Sequence, residues 1–527
     1  MKKFKCYKGL VTMLAACILW AVSLTTNISA ASAQPANRLI MVDGRFTGAV
    51  DFNRDTKVIE QGPYLNLLKN YPDGYQIKYP ADMWVDVSMS PVRTTLANYT
   101  TLVEIYRQPL DVVPDAYINY GNRPITTGAD KVQIIKNQQT TVNGHRVRWL
   151  WWQRPRLKNV PADKNIYASV DIVVSNREVY SLLFKSASLP VLQNLVPTMV
   201  KSFAVTAKQG HHTYARQYSN HRSFPLSAAA NEVLNTYFKG DKQYWGIFEH
   251  SFPARKEPLA NLEQQLDYNF KFVLVYTSFD SPLPKDILQR ADAENKIVEL
   301  TLQTTSAGRG SLTYAILNGE YDSWLKAYAG AIKDFGKPVL FRLNNEMNGD
   351  WCSYSAYHSS KDTGLYIATW RYIYQLFREQ GVDNALWVWN PHDVSFPNFK
   401  WNHYLTYYPG DDYVDIVGLT GYNTGTYYPG EKWRGFKQIY DPLYQEYSAV
   451  FPHKPFMITE FGSNSVGGDK VAWINDAFRY MKEYKQIKVM IWWNGIDWDG
   501  TKPARIYRID QTPAVINAVK QGLQGYK

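Results

Sequence analysis

Cysteine is nearly absent from this 527-residue chain. Cys6 and Cys17 lie within the first 33 residues, and Cys352 is the third cysteine. If that N-terminal segment is removed, one cysteine remains, which excludes a disulfide within the chain. A scaffold held by disulfides is therefore excluded, and the fold must depend on a hydrophobic core, for which 45% hydrophobic residues suffice.

Long apolar runs are also scarce, and the one present spans about residues 10–24. It follows four lysines and precedes Ala31-Ser32-Ala33, which fits an A-x-A cleavage site. We therefore predict a secretory signal peptide over residues 1–33 and a protein that is secreted or at the cell surface. The alternative is a lipoprotein, because Leu14 to Cys17 resembles a lipoprotein box. No later run is long enough to span a bilayer.

The sequence contains no recognisable metal-binding motif, because the nine histidines do not cluster with cysteine or acidic residues at ligand spacing. We predict no metal, no cofactor and no nucleic-acid partner.

The net charge is +11, and residues 34–210 hold 21 Lys and Arg against 14 Asp and Glu. This excess favours contact with an anionic polymer, for instance a cell wall, although a basic surface that only aids solubility would explain it equally well.

The length favours two domains, and the pattern of apolar residues along the sequence changes near residue 225. We predict a smaller α+β accessory domain with an antiparallel sheet over 34–206, a polar linker over 207–224, and a second domain over 225–527. Short β-rich runs and the Asn143-Gly144 turn support the sheet. Its strands are predicted at residues 75–79, 101–106, 132–135, 147–152, 168–174 and 179–184, with a helix at 192–203.

In the second domain, eight apolar runs alternate with amphipathic helices, a pattern that predicts an α/β fold of the (β/α)8 barrel type. Near-continuous apolar strands are typical of a parallel sheet that is buried on both faces. The eight strands are predicted at residues 244–248, 272–276, 297–302, 339–344, 385–389, 414–419, 456–459 and 489–493.

Two glutamates stand at the ends of predicted barrel strands, Glu346 after the fourth and Glu460 after the seventh. In a barrel, chemistry lies at the C-terminal ends of the strands. Two carboxylates at one rim are what a glycosidase needs, and a separation of about 5–5.5 Å would indicate a retaining mechanism. Side chains alternate along a strand, so Arg342 should share a face with Glu346, hold Glu460 ionised and thereby keep Glu346 protonated.

The surrounding residues resemble glycoside hydrolase family 26. The matching stretches are Phe341-Arg342, Glu346 to Trp351, Thr369 to Arg371, Asn384 to Pro391, Tyr408 to Asp415, Gly418 to Tyr422 and Glu460 to Gly462. In the first domain, the Tyr79-Pro80 segment, the closing helix and Ser202-Phe203 give a looser similarity to a PsbP-like sandwich.

The family resemblance implies a role for individual residues. Glu346 would be the acid/base and Glu460 the nucleophile, with Tyr422 hydrogen-bonded to the nucleophile. The remaining implied contacts are to the sugar: stacking by Trp351, Trp389 and either Trp492 or Trp493 (of which we choose Trp493), and hydrogen bonds from Asn390 and His392.

One residue departs from the family pattern. Family members commonly have His directly before the acid/base, whereas this chain has Asn345. Asparagine is the residue that the wider clan uses to contact the sugar 2-hydroxyl.

We expect a secreted, retaining endo-β-glycanase that acts on β-linked polysaccharide, with β-1,4-mannan as the first candidate substrate. The alternatives are a β-1,3/1,4-glucanase, a xylanase or a matrix-polysaccharide hydrolase of the same mechanism, and a non-catalytic cell-wall or glycan-binding protein.

Overall fold

The computed structural model describes residues 38–42, 44–46, 57–212, 222, 224–252 and 254–527. The predicted signal peptide lies outside the described residues, as does most of the predicted linker. Within the described part of the chain, no helix is both long and apolar enough to cross a membrane.

The first domain is built on two sheets. Their strands are β1 Ile40–Val42, β2 Arg45–Phe46, β3 Lys57–Glu60, β4 Leu65–Asn70, β5 Tyr75–Pro80, β6 Trp84–Asp86, β7 Thr94–Ala97, β8 Thr101–Pro109, β9 Gln133–Val142, β10 His145–Gln153, β11 Ile166–Ser175, β12 Glu178–Ser186 and β13 Ala204–Val205. The strand orders are β2-β1-β6-β7-β8-β12-β11-β10-β9 and β13-β5-β4-β3. All neighbouring strands in them are antiparallel except β1 and β6, which confirms the predicted α+β domain.

Local sequence explains the hairpin between β9 and β10. Val142 pairs with His145, so the connecting loop has two residues, Asn143 and Gly144. Both have positive φ, 50° and 80°, the conformation that a tight hairpin turn needs and that Asn-Gly accepts readily.

Two helices accompany these sheets, α1 (Pro114–Thr126) and α2 (Leu189–Ser202). The buried face of α2 carries Leu192, Val196 and Met199, which pack in the core of the domain, as the sequence predicts. The sequence does not predict α1, because Gly121 and Pro124 interrupt it and both residues disfavour helix interiors.

The second domain is a closed barrel of eight parallel strands, which confirms the predicted fold. The strands are β14 Tyr244–Glu249, β15 Phe272–Ser278, β16 Ile297–Gln303, β17 Val339–Leu343, β18 Ala385–Trp389, β19 Ile416–Asn423, β20 Phe456–Ser463 and β21 Ile487–Asn494, followed by a hairpin of β22 Ile496–Asp499 and β23 Lys502–Ile506. The α-helices are α3 Ala228–Val233, α4 Glu257–Leu266, α5 Lys285–Ala293, α6 Thr313–Leu317, α7 Asp322–Phe335, α8 Thr363–Glu379, α9 Phe436–Val450, α10 Lys470–Met481 and α11 Pro513–Gln524.

The alternation of side chains along each barrel strand separates two apolar layers. On β17, Leu340 packs inside the barrel, while Val339 and Phe341 pack against the surrounding helices. Arg342 therefore belongs to the inner face, next to Leu340 in the pleat. A buried charge thus stands above the apolar interior, at the end of the barrel where the strands terminate.

The two domains meet at residues 350–362, the loop that follows β17. The Lys185 ammonium lies 2.7 Å from the Asp362 carboxylate, and the Tyr167 hydroxyl donates a 2.8 Å hydrogen bond to the same carboxylate. Nearby, Asp130 accepts a 2.5 Å hydrogen bond from the backbone N–H of Ser360. Because these groups are buried, the loop is fixed from the side of the first domain.

We predict that Asp362→Ala lowers the free energy of unfolding by about 3 kcal/mol, as measured by urea denaturation. The substitution removes the nearer of the two carboxylates that pair with the buried Lys185 ammonium, the other being Glu104 at 3.1 Å, and it also removes the side chain that caps α8 through the Gly364 N–H. Asp476→Ala is the control, because it breaks an exposed ion pair with Arg479 and should cost less than about 0.5 kcal/mol. Equal effects of the two substitutions would contradict the interface described above.

Candidate active site

A cleft of about 1080 Å³ opens where the barrel strands end. Seven of the ten predicted site residues line it: Asn345, Glu346, Trp351, His392, Tyr422, Glu460 and Trp493. Arg342, Trp389 and Asn390 are not among its lining residues. The cleft thus brings together side chains from β19, β20 and β21 and from the segments that follow β17 and β18.

Arg342 lies beneath the cleft with none of its surface exposed. Its Nη1 atom is 2.7 Å from Glu460 Oε1, and its Nε atom is 2.9 Å from Glu299 Oε1. Burial opposes the charge on Arg342, but Glu299 and Glu460 outweigh it and raise the pKa of the guanidinium. Arg342 is therefore a permanent cation placed against Glu460.

Glu299, on β16, is the second acid beside this cation, and it was not predicted from the sequence. Burial raises the pKa of Glu299 to about 8, and Arg342 opposes that rise only in part. Near neutral pH Glu299 is therefore mainly protonated. The positive charge of Arg342 is therefore available to balance the negative charge of the Glu460 carboxylate.

Two tyrosines complete the surroundings of Glu460. The Tyr422 hydroxyl donates a 2.8 Å hydrogen bond to Glu460 Oε2, as predicted from the family resemblance. Tyr276, within β15, also hydrogen-bonds Glu460, and the Cζ atom of Arg342 lies 5.5 Å from the centroid of the Tyr276 ring. Burial, followed by the charge of Glu460, raises the pKa of both phenols well above the usual value. Both tyrosines therefore stay protonated as donors.

Glu346 is held by its backbone rather than by regular strand geometry. The strand ends at Leu343, and Asn344 and Glu346 both adopt left-handed conformations with φ of 53°. The Glu346 N–H donates a 2.8 Å hydrogen bond to the Asn390 carbonyl on the neighbouring segment. Such conformations are costly for side chains other than glycine, and persist where the surrounding structure fixes them.

The carboxyl group of Glu346 is a weak acid for a glutamate, because burial raises its pKa to about 7. Glu460 raises the pKa further, whereas His392, Arg342 and a hydrogen bond from Trp351 lower it. From the sequence we expected the charge of Glu460 to keep Glu346 protonated, but in the structure burial is the larger cause. Two carboxyl groups in one cleft thus have different environments, the condition for separate acid and nucleophile roles.

His392 and Trp351 form the wall next to Glu346. His392 Nε2 is 3.8 Å from Glu346 Oε1, and its ring meets Trp351 edge to face at 5.3 Å between centroids. The indole of Trp351 folds over Gly349, where a Cβ atom would lie 2.5 Å from the ring. Residue 349 therefore has to be glycine for Trp351 to take this position.

Asn345 lies between Glu346 and two neighbouring side chains. Its Oδ1 accepts hydrogen bonds from Gln303 Nε2 at 3.0 Å and from the Tyr354 hydroxyl at 3.2 Å. The oxygen is therefore engaged within the protein, and the amide Nδ2 group is the donor that Asn345 can offer to a substrate.

The structure corrects the sugar-contact predictions for Trp389 and Asn390. Alternation along β18 turns Trp389 outward, where it is fully buried against Tyr408 and Phe451. Asn390 is also fully buried, and its Oδ1 accepts a 3.0 Å hydrogen bond from Arg342 Nη1. Asn390 therefore orients the arginine instead of meeting a sugar.

The structure also separates the two tryptophans of β21. Trp492 points outward, and its Nε1 donates a 2.9 Å hydrogen bond to the Tyr507 carbonyl. Trp493 lines the cleft and stacks on Phe248 with 15° between the ring planes. The choice of Trp493 thus agrees with the alternation along the strand.

The far rim of the cleft is polar and was not predicted from the sequence. Arg505, on β23, lies 2.9 Å from Asp497 and also hydrogen-bonds Glu431. These residues come from two distant segments, and no motif marks them. Within the described residues, no group of three or more His, Cys, Asp or Glu side chains is arranged to hold a metal ion.

A (β/α)8 barrel with two carboxyl groups in different environments within one cleft is the arrangement by which glycoside hydrolases act. Comparison with known proteins agrees, because residues 286–450 match the profile "Glycosyl hydrolase family 26". The match lies within the barrel and confirms the resemblance to that family.

The chain is also similar to individual proteins of known activity. The chain is 32% identical over 218 residues to Endoglucanase H of Acetivibrio thermocellus, covering 40% of this chain and 23% of that protein. It is 34% identical over 170 residues to a mannan endo-1,4-beta-mannosidase of Bacillus subtilis, covering 31% and 41%. The chain thus spans less than half the length of either relative. The catalytic domain of the family 26 endo-beta-1,4-mannanase of Bacillus sp. JAMB-750 aligns at 17% identity with a TM-score of 0.44, covering 58% and 94%.

We predict that the Glu346 carboxyl titrates near pH 7 and that His392→Phe moves the titration to higher pH. The imidazole lowers the pKa of Glu346, so its removal should raise that pKa. Carboxyl ¹³C NMR of protein labelled at glutamate, with Glu346→Gln to assign the resonance, measures the shift. His453→Phe, an exposed replacement, should leave the titration unchanged. A titration near the ordinary glutamate value would contradict the site described here.

Proposed function

We propose that the protein is a secreted, retaining endo-β-glycanase that cleaves polysaccharide by double displacement, with Glu346 as acid/base and Glu460 as nucleophile. The observation that carries the proposal is the contrast between the two carboxyl groups. Glu460 faces a permanent cation at 2.7 Å, whereas burial raises the pKa of Glu346 to about 7. One group is thus equipped to attack as an anion and the other to donate a proton.

The first step of the reaction follows from these positions. An oxygen of Glu460 attacks the anomeric carbon and forms a glycosyl ester, while Glu346 protonates the departing glycosidic oxygen. The hydrogen bond from Tyr422 and the ion pair with Arg342 hold the attacking carboxylate in place.

The second step reverses the proton flow. Glu346, now ionised, takes a proton from water, the water oxygen attacks the anomeric carbon, and the ester bond to Glu460 breaks. His392, 3.8 Å from Glu346, supports the ionised form because it lowers the pKa of that carboxyl group.

We propose β-1,4-mannan as the first substrate, in keeping with the similarity to the mannan endo-1,4-beta-mannosidase of Bacillus subtilis. A β-glucan is the second candidate, because Endoglucanase H of Acetivibrio thermocellus is among the relatives and because Asn345 replaces the family's usual histidine. The amide Nδ2 of Asn345 is suited to contact a 2-hydroxyl, the group whose orientation distinguishes mannose from glucose.

The first domain is proposed to contact an anionic polymer such as a cell wall, on the basis of its excess of Lys and Arg. A non-catalytic glycan-binding role is the rival reading of the whole protein. The intact set of Arg342, Glu346, Tyr422 and Glu460 favours catalysis.

We predict that Glu460→Ala lowers kcat on the preferred polysaccharide by at least about 10⁴-fold, because the covalent intermediate is lost. Glu346→Ala should lower kcat by about 10²–10⁴-fold, the range for loss of a general acid. Added azide should rescue the two variants with opposite anomeric products, α-glycosyl azide for Glu460→Ala and β-glycosyl azide for Glu346→Ala on a substrate with a good leaving group.

Glu431→Gln serves as the matched control, because it changes another carboxylate that lines the cleft. Its activity should stay within about tenfold of wild type, as expected for a residue that makes a rim ion pair. Undiminished activity of Glu460→Ala would contradict the assignment of Glu460 as the nucleophile. Binding of glycans without any cleavage by the wild-type protein would favour the rival reading.

We predict that the wild-type protein shows its highest kcat/KM on β-1,4-mannan in a panel that includes β-1,3/1,4-glucan and xylan. Reducing-end release, followed by sizing of the products, separates endo from exo cleavage. A higher kcat/KM on β-glucan would replace mannan as the substrate without changing the assignment of the two glutamates.

A further inference from the structure

A second groove, of about 750 Å³, lies beside the catalytic cleft at the junction of the two domains. The first domain contributes one wall through residues 108–112 and α1, and the barrel contributes the other through residues 395–403, after β18. Phe396 lines both the groove and the catalytic cleft. The two depressions are therefore neighbours that share a side chain.

Exposed aromatic rings mark the path from one depression to the other. Trp351 lines the catalytic cleft and is 52% exposed, and Phe396 is 46% exposed with its ring 5.4 Å from that of Trp351. Tyr120, on α1 of the first domain, lines the second groove and is 39% exposed. Its hydroxyl donates a hydrogen bond to the carboxylate of Asp350, the residue directly before Trp351.

Both walls of the groove are fixed by contacts across the domain junction. The Lys400 N–H donates a 2.7 Å hydrogen bond to Gln108 Oε1, and Lys400 Nζ donates one of 3.0 Å to the Pro91 carbonyl. Tyr117 packs edge to face on Phe399 with 4.4 Å between ring centroids. The groove is therefore a preformed feature, which lowers the entropy cost of binding.

The chemistry of the groove suits a sugar chain. Pyranose rings present apolar C–H faces and a rim of hydroxyl groups, and they match exposed aromatic rings flanked by polar side chains. Besides Tyr120 and Phe396, the groove offers the polar side chains of Asn398 and His403. A polysaccharide cut in its interior must also continue beyond the cleft on both sides.

We propose that this groove is a distal glycan-binding site, in which the first domain holds a further segment of the same polysaccharide chain that the barrel cleaves. Tyr120 supplies an aromatic platform, and Phe396 connects the groove to the catalytic cleft. The inference rests on the proposed glycanase function. It assigns the first domain a direct part in substrate binding.

The test compares a long and a short substrate of the same linkage. For Tyr120→Ala, kcat/KM on the polysaccharide should fall about tenfold, as for truncation of an aromatic anchor in a binding site. On a chromogenic disaccharide, which is too short to reach the groove, kcat/KM should stay within about twofold of wild type. Ala116→Trp, which fills the groove from the exposed side of α1, should give the same pattern.

Two further variants separate stacking from other effects. Tyr120→Phe keeps the ring and loses the hydrogen bond to Asp350, so it should retain most activity on the polysaccharide. Tyr64→Ala removes a 65% exposed tyrosine of the same domain that lines neither the groove nor the cleft, and it should behave as wild type on both substrates.

Equal activity of Tyr120→Ala and wild type on the polysaccharide would overturn this inference and leave the proposed function intact. A parallel fall on both substrates would also overturn it, because Tyr120 would then act through the catalytic loop. Absence of cleavage of any polysaccharide by the wild-type protein would overturn the proposed function and this inference together.

Discussion

The guanidinium group of Arg342 lies inside the barrel with no exposed surface, and it contacts a carboxyl group on either side. A buried charge is tolerated only when it is paired and hydrogen-bonded, so the residues around it are constrained as a set. Thr301 and Asn390 accept hydrogen bonds from it, the carboxylate of Glu460 balances its charge, and the mainly protonated Glu299 lies against its Nε atom. The position of Glu460 follows from this arrangement, because its carboxylate is one of the partners that the arginine requires.

Glu346 depends on a different kind of support. It follows the end of β17 in a left-handed conformation, and its N–H bonds to the backbone of the segment after β18. The same two segments are tied together by Asn348, whose amide donates to the His392 carbonyl at 3.0 Å. The first domain contacts both segments, through Asp362 on one and Lys400 on the other. The loop that carries Glu346 is thus fixed by contacts with the barrel and by contacts with the first domain.

The barrel could be predicted because eight apolar strands and their helices leave a clear periodic pattern. Glu346, Glu460 and Arg342 could be predicted because they stand at or near the C-terminal ends of the predicted strands. Trp389 was misplaced, although alternation along β18 already turned it outward, because the family resemblance was given more weight. Glu299 and Tyr276 were missed, since each lies within a strand and meets Arg342 only after the barrel closes. The groove between the domains depends on α1. This helix was not predicted from the sequence, because Gly121 and Pro124 disfavour a helix at these positions.

The central claim is that Glu460 becomes covalently attached to the sugar while Glu346 handles the proton. Trapping with an activated 2-deoxy-2-fluoro glycoside, followed by mass spectrometry of the intact protein and of its peptides, tests this most directly. The account predicts a mass increase of one fluoroglycosyl group, located on Glu460 and absent in Glu460→Ala. Attachment to Glu346, or turnover of this reagent with inversion and without any adduct, would contradict the account.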